Sequence, residues 1–423
     1  MTRPQTTLRD PLGWSIAITF AFGMLVFWQL SIPHKLYFDE IHYIPAARAL
    51  LYEGRLVNPE HPLLGKLILA ASLQLLGDGP AGWRVPGALA GTWTLFAAMR
   101  ALWFASCRRF ATLAYGVLLA TGFMLFVQSR IAMLDSFMLA FLATAVWQAA
   151  AACREPETGR WRLALTGVML GLALGAKWNA APLLPVFGLA FLAARLAAGR
   201  RRLLTSRRGW PVPGVSLLEA ALWLGVVPLL VYAATFLPGY GLRDGIGTDL
   251  LSHNLWMAEL QSSVVTAHTY QSSLSQWVLN TRPIWYLFEE VDGAWRGIVM
   301  LGNPFTALAG LPALAWCAWR GVRRRDMAAL GVVVLYTVSV GFWLVADKPI
   351  QFFYHYLVPQ LTLLAALALA ADALWQRRRW RAAALAIPLA SALLFAWFFP
   401  ILGARPLAEV TTYERWMWLD SWR

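Results

Sequence analysis

Long apolar blocks constrain this chain more than any other feature. A membrane-crossing helix needs about 20 mostly apolar residues. Eleven stretches approach that length: 13–31, 83–104, 110–127, 131–152, 161–176, 179–197, 215–237, 297–319, 327–346, 353–375 and 382–401. The pattern predicts an all-α polytopic membrane protein of about 11 transmembrane helices. Composition agrees, with 59% of the 423 residues apolar and 14% charged, against about 45–50% and about 25% in soluble domains. A soluble globule and a disordered chain are both excluded. The first block is too long, and too poor in small residues at its end, for a cleaved signal peptide, and reads as a retained span.

The segments between the blocks fall into two kinds. Short ones are rich in arginine: Arg108 and Arg109; Arg200, Arg201 and Arg202 with Arg207 and Arg208; Arg323, Arg324 and Arg325; Arg377, Arg378 and Arg379 with Arg381. Longer ones are mixed: 32–82, 238–296 and the tail 403–423. With eleven spans the two kinds alternate, and the positive-inside rule puts the N-terminus in the cytoplasm and the C-terminus outside. The formal net charge of +14 then divides into about +16 on the cytoplasmic side and about −2 outside. The excess charge is an orientation signal, so it gives no support to nucleic-acid binding. All four lysines (Lys35, Lys66, Lys177, Lys348) and all six histidines (His34, His42, His61, His253, His268, His355) fall on the outer side. Chemistry therefore belongs to the outer, periplasmic face of the plasma membrane, with 1–423 forming a single transmembrane domain. Cys107, Cys153 and Cys317 fall at cytoplasmic helix ends and have no metal or redox spacing. No phosphate-binding glycine loop is present, which argues against an ATP-driven pump.

The first outer loop, 32–82, is the most informative. Asp39 and Glu40 follow the first span directly, at the membrane boundary. The run 40–53 predicts an interfacial helix with Ile41, Ile44, Ala47 and Leu51 on one face. Asn58 and Pro59 turn the chain, and 63–76 predicts an apolar helix too short to span comfortably, re-entrant or interfacial. Each polar residue has a plain structural reading. Asp39 suits a helix N-cap, Glu40 a first-turn acid against the helix dipole, and His61 and Lys66 contacts with lipid headgroups. The functional reading gains from coincidence: an acid pair, two histidines (His42 and His61) and a lysine gather in one boundary loop.

Phe38-Asp39-Glu40-Ile41-His42-Tyr43 resembles the acidic motif of the protein O-mannosyltransferases, membrane enzymes of the GT-C glycosyltransferase fold. His61-Pro62-Leu63-Leu64-Gly65-Lys66 is similar to their His-Pro-Pro-Leu-Gly-Lys segment, with Leu63 in place of the second Pro. Further elements follow in family order: Trp83-Arg84-Val85-Pro86 with Gly91; Arg130-Ile131-Ala132-Met133-Leu134-Asp135; Gly175-Ala176-Lys177-Trp178. Then come His268-Thr269-Tyr270-Gln271-Ser272-Ser273 with Trp277, Arg282-Pro283-Ile284-Trp285-Tyr286, and Phe353-Tyr354-His355-Tyr356. Thr269 departs from the family's Pro. The loop 238–296 leaves no room for the β-trefoil domain of eukaryotic members, so the likeness is to a compact bacterial form.

The resemblance implies transfer of mannose from polyprenyl-phosphate-mannose to Ser or Thr hydroxyls of exported proteins, with inversion and in association with translocation machinery. A hydroxyl is a weak nucleophile and gains from a carboxylate that accepts its proton. Asp39 is the candidate base. Adjacent helical residues do not share a face, so Glu40 orients the acceptor or pairs with a basic residue. Arg84, Arg130, Lys177 and Arg282, with His61 and Lys66, are candidates for the donor's phosphate and sugar. Structural alternatives stand beside them: an Arg130–Asp135 ion pair, Lys177 snorkelling to the interface, and Arg282 bridging to Glu289 or Glu290. His42, His268, Tyr270, Trp285, Tyr286 and His355 are candidates for acceptor or sugar contacts, the alternatives being an interface belt for the aromatics and a structural role for the histidines. No cofactor is required. The outer acids and histidines leave room for a divalent cation, although no ligand spacing demands one. Two other functions share these features. One is another GT-C transferase using a different lipid-linked sugar or a lipid acceptor, as aminoarabinose transferases do. The other, from a different class, is a secondary transporter or lipid flippase, which predicts charges near the bilayer midplane.

Overall fold

The computed structural model describes residues 9–199, 203–247, 249–263, 265–346 and 348–423. Arg200, Arg201 and Arg202 of the second arginine cluster lie outside the described residues. The first half of the chain forms α1 (Leu12–Phe27), α2 (Glu40–Arg48), α3 (Leu64–Leu76), α4 (Pro80–Ser106), α5 (Arg109–Ala120), α6 (Met124–Gln128), α7 (Leu134–Arg154), α8 (Gly159–Ala176), α9 (Leu184–Ala197), α10 (Leu217–Ala221) and α11 (Val227–Ala234). The second outer loop holds α12 (Leu250–Ser262), α13 (Leu274–Val278) and the strands β1 (Ile284–Val291) and β2 (Ala294–Met300). The chain then continues as α14 (Pro304–Arg324), α15 (Met327–Val345), α16 (Leu357–Trp375) and α17 (Arg381–Leu402).

Among the described residues, seven helical segments are long and apolar enough to cross a membrane: Pro80–Ser106, Leu134–Arg154, Trp178–Ala197, Leu217–Gly241, Met327–Val345, Phe353–Trp375 and Arg378–Leu402. The chain is a multi-pass membrane protein. The other four predicted spans are shorter or less apolar. α1 has 16 residues, and α8 carries Arg160 and Arg162 in its first turn. The 110–127 block is broken between α5 and α6, where Phe123 takes a left-handed φ of 71°. The 297–319 block opens as β2 and becomes helical only at Pro304.

The all-α expectation therefore needs a correction. β1 and β2 pair antiparallel, with Ile284 opposite Met300 and Val291 opposite Ala294. Asp292 and Gly293 close the hairpin, both with positive φ (50° and 70°), as the tight turns that match strand twist require. A helix forms over 40–53 as predicted, its last five residues as a π turn ended by Gly54. Its buried face differs from the predicted one: Tyr43, Ile44, Ala46 and Ala47 are buried while Ile41 is exposed.

The helices sort the polar groups to two ends. α4 carries Arg84 near its start and Arg100 sixteen residues on, about 24 Å along the axis at 1.5 Å per residue. Arg100 pairs with Asp10 at 2.6 Å. Near that end Arg154, at the close of α7, donates to the carbonyl of Phe104 at 2.9 Å, while Arg108 and Arg320 both hold Asp326. The opposite ends of α4, α7 and α8 carry Arg84, Asp135 and Lys177. α8 reaches this position by close packing through Gly167, Gly171 and Gly175, three residues at i, i+4 and i+8. A Cβ on Gly167 would lie 1.9 Å from the carbonyl oxygen of Trp223, and one on Gly171 would lie 2.5 Å from that of Pro228. Small residues let membrane helices approach this closely.

We predict that Gly167→Leu lowers the melting temperature of the detergent-purified protein, since overpacking costs about 1–3 kcal/mol. Gly13→Leu, where a Cβ would meet nothing within 4 Å, serves as the neutral comparison. Equal melting temperatures for the two variants would contradict the packing role of the α8 glycines.

Candidate active site

The two adjacent acids that open α2 have opposite environments. Glu40 is fully buried. Its carboxylate accepts from Arg84 Nε at 2.9 Å and Nη2 at 3.0 Å. It also accepts the backbone N–H of Ala132 at 3.0 Å and of Tyr37 at 3.3 Å. The remaining donors of Arg84 go to the carbonyls of Leu30, Pro33 and Lys35. A guanidinium has five N–H donors, and all are used. In this structure Arg84 therefore has no N–H left over for the donor phosphate expected of it. Of the two roles expected for Glu40, pairing with a basic residue is the one its contacts display.

Three other expected phosphate ligands also donate to protein carbonyls. Arg130 donates to the carbonyls of Val26, Trp28 and Gln29, which closes the end of α1, where helical carbonyls lack intrahelical partners. Lys66 is fully buried and donates to the carbonyls of Asn58 at 2.5 Å and His61 at 2.9 Å, so it clamps its own loop instead of meeting headgroups. Arg282 ties Thr269 to Ser421 through their carbonyls, while Glu289 pairs with Lys35 at 2.8 Å. The suggested Arg130–Asp135 pair does not form. Residues 129–133 are not helical, and Asp135 instead pairs with Lys177 at 2.5 Å, both buried.

Asp39 is the contrast. It precedes α2 but makes no cap bond to it, and among the described residues its carboxylate has no hydrogen-bond partner. It is half-buried. Burial pushes its carboxyl above the usual carboxylate range, with Asp135 adding to the effect and Lys177, His42 and Lys348 opposing it. Lys177 and Lys348, whose charges act on Asp39, line a cleft of about 370 Å³ with Glu60, His61 and Gln261, walled by Trp178, Phe342 and Trp343. Lys348 donates to Gln261 at 2.7 Å, and burial with the nearby Lys177 brings its ammonium down to about 8. Burial likewise lowers His61 well below the usual histidine value, so it faces the cleft as a neutral ring. A polar mouth with two ammonium groups against aromatic walls suits an amphiphile with an anionic head.

The other expected contacts are dispersed. His42 is exposed on α2. Tyr286 is buried, donates to Gln128 Oε1 at 3.0 Å and stacks on Phe38 at 4.0 Å. Trp285 is buried and donates to the carbonyl of Trp422. His355 is buried against Trp343. His268 is exposed, packs on Phe352 and accepts the N–H of Tyr270, which is half-buried. Sequence reasoning did not single out Lys348, Gln261 or Gln128 for the site. Lys348 sits in no motif, and only its place on the outer side hinted at a role. Among the described residues no three His, Cys, Asp or Glu side chains gather as a metal site.

Comparison with known proteins bears on this arrangement. The fold is close to that of a chain of the S. cerevisiae protein O-mannosyltransferase Pmt1-Pmt2 complex, solved bound to the sugar donor. The TM-score is 0.82 at 13% identity, over 99% of this chain and 93% of that one. ArnT from Cupriavidus metallidurans is more distant, with a TM-score of 0.57 at 18% identity over 85% and 60%. The chain therefore has the GT-C fold of membrane glycosyltransferases. Residues 80–241 match the dolichyl-phosphate-mannose-protein mannosyltransferase family. The polyprenol-phosphate-mannose–protein mannosyltransferase of Mycolicibacterium smegmatis is 27% identical over 97% of this chain and 93% of its own length. Its Mycobacterium tuberculosis counterpart is 27% identical over 91% and 86%. The chain thus resembles the protein O-mannosyltransferases along nearly its whole length and is a glycosyltransferase.

Breaking the Glu40–Arg84 pair should be costly because it strands a buried charge. Arg84→Ala is expected to lose about 3–5 kcal/mol of stability. Replacing both partners with Leu and Met should recover much of that loss. Thermal unfolding of the three proteins checks this; an Arg84→Ala protein that melts with the wild type would remove the bracing role.

Proposed function

We propose that the protein transfers mannose from polyprenyl-phosphate-mannose to Ser or Thr hydroxyls of exported proteins. The relatives' names support donor and acceptor class. The observation that carries the mechanism is the carboxylate of Asp39, free of its own helix and beside the Lys177–Asp135 pair. Asp39 takes the proton of the acceptor hydroxyl. The hydroxyl oxygen attacks the anomeric carbon from the face opposite the phosphate. The new C–O bond forms as the bond to phosphate breaks, so the configuration inverts. The lipid phosphate leaves as an anion held by the ammonium groups of Lys177 and Lys348. One base and a held leaving group complete the step without a nucleotide or covalent intermediate. The raised pKa of Asp39 makes it a stronger base than a surface carboxylate. On the same reading the protein crosses the plasma membrane eleven times, N-terminus inside, with the cleft outside. There it meets acceptor segments as they leave the translocation machinery.

Asp39→Asn is expected to reduce transfer to a Ser/Thr peptide by about 10²–10⁴-fold. The same variant should melt no lower than wild type at neutral pH. The sign follows from linkage. A carboxyl whose folded pKa is raised loses stability as pH climbs from the ordinary carboxylate range through the raised value, so removing its charge relieves a cost. Wild-type transfer should in turn fall as pH drops through that raised value, because only the ionised form is a base. Purified protein in lipid with labelled polyprenyl-phosphate-mannose provides the measurement. Near-normal transfer by Asp39→Asn would defeat the assignment of the base, and transfer from another lipid-linked sugar alone would defeat that of the donor.

A further inference from the structure

The backbone immediately before Asp39 is strained. Phe38 has φ 48°, a region that bulky L-residues rarely occupy and that Gly, Asn or Asp usually fill. Nothing in Phe38 itself favours it. The conformation is held from outside by rings on distant segments. Tyr286 of β1 stacks on Phe38 with centroids 4.0 Å apart and planes 17° apart. Tyr354, just before α16, meets it edge-on at 5.9 Å. Tyr286 is fixed in turn by its hydroxyl, which donates to Oε1 of the fully buried Gln128. The hairpin that carries Tyr286 is docked on the first outer loop by the Lys35–Glu289 ion pair and by the N–H of His34 donating to Asp292 at 3.0 Å.

The turn has a consequence for the next residue. An N-cap aspartate normally has extended φ/ψ, and its carboxylate accepts N–H groups of the first turn. Asp39 instead has helical angles, φ −66° and ψ −9°, and no cap bond. Its backbone carbonyl takes the N–H groups of His42 and Tyr43, while the carboxylate takes none from the first turn. We infer that Phe38, Tyr286 and Gln128 form a positioning device: the stacked ring of Tyr286, oriented by Gln128, holds the left-handed turn at Phe38 and so keeps the Asp39 carboxylate off its own helix and open to the acceptor hydroxyl. Its catalytic consequence rests on the reading of Asp39 as base; its structural content does not.

The test reads the carboxylate directly. Carbodiimide labelling of Asp39 in the full-length protein, followed by peptide mass spectrometry across a pH series, gives the pH midpoint at which the carboxyl ionises. The groups facing Asp39 are Lys177, His42, Asp135 and Lys348, with Tyr43, Tyr286 and Tyr354, and all but Tyr286 stay in place. Tyr286→Leu should let Asp39 relax into a cap, and N–H bonds to a carboxylate lower its midpoint by about one unit or more. Tyr286→Phe keeps the ring and should hold the midpoint closer to wild type. Phe38→Gly combined with Tyr286→Leu should restore part of it, because glycine adopts positive φ unaided. In transfer assays Tyr286→Leu should lose at least about tenfold in kcat, with the donor KM little changed. A midpoint that does not move in folded Tyr286→Leu overturns the device, as does a shift that Phe38→Gly cannot reverse. The reading of Asp39 as base stands or falls separately, on Asp39→Asn.

Discussion

The buried pair of Glu40 and Arg84 is the contact on which the outer end of the bundle depends. Two carboxylate oxygens and one guanidinium join four pieces of chain: the segment after α1 through the carbonyls of Leu30, Pro33 and Lys35, the start of α2, the first turns of α4, and the N–H of Ala132 ahead of α7. A buried ion pair often repays its desolvation cost only when every remaining donor and acceptor is satisfied. That condition is met here. The network's weak net contribution to stability matters less than its geometry, because it fixes where α2 begins and hence where Asp39 stands.

Around that frame the charged side chains divide by whether their hydrogen bonds are spent. Arg130 and Lys66 donate to backbone carbonyls at helix ends and turns, where secondary structure leaves them unpaired, and Arg84 divides its donors between such carbonyls and Glu40. Lys177 and Lys348 keep a different company. One is paired to a carboxylate and the other to an amide, partners that a phosphate can compete with. In the membrane-embedded families, charges at a boundary are usually read as functional. Here that reading separates structural cations from available ones only when the partners are known, not from position alone.

This division marks what was legible in the sequence. The apolar blocks and the arginine-rich connections announced a multi-pass fold, because their signal is local and needs no partner. The Asp39-Glu40 pair stood out because it falls in a boundary loop with His61 and Lys66. What each acid does was not legible, since Glu40 finds Arg84 forty-four residues away. The Arg130–Asp135 pairing failed for a related reason. Closeness in sequence suggested a bond, whereas the non-helical 129–133 segment turns the two apart and Asp135 meets Lys177 forty-two residues on. The hairpin was hidden because the apolar run of β2 leads straight into α14, and short apolar runs do not distinguish strand from helix. Asp292-Gly293 was the one local signal for it.

The hairpin changes how the site is built. A purely helical bundle would have to position Asp39 from the helices that border it. Instead β1 brings Tyr286 across from the second outer loop to a residue some 250 positions earlier, and the tail adds Trp422, which accepts from Trp285. Rings from two segments distant in sequence, Tyr286 of β1 and Tyr354 ahead of α16, thus converge on the residue before one carboxylate. Local structure alone would favour that carboxylate as a helix cap, where its lone pairs would be filled and its pKa lowered. Holding it away from the cap costs stability twice, once in the left-handed Phe38 and once in a half-buried charge with no hydrogen bond among the described residues. Both costs fall on the atoms that the proposed reaction requires to be free, where strain of this kind characteristically gathers.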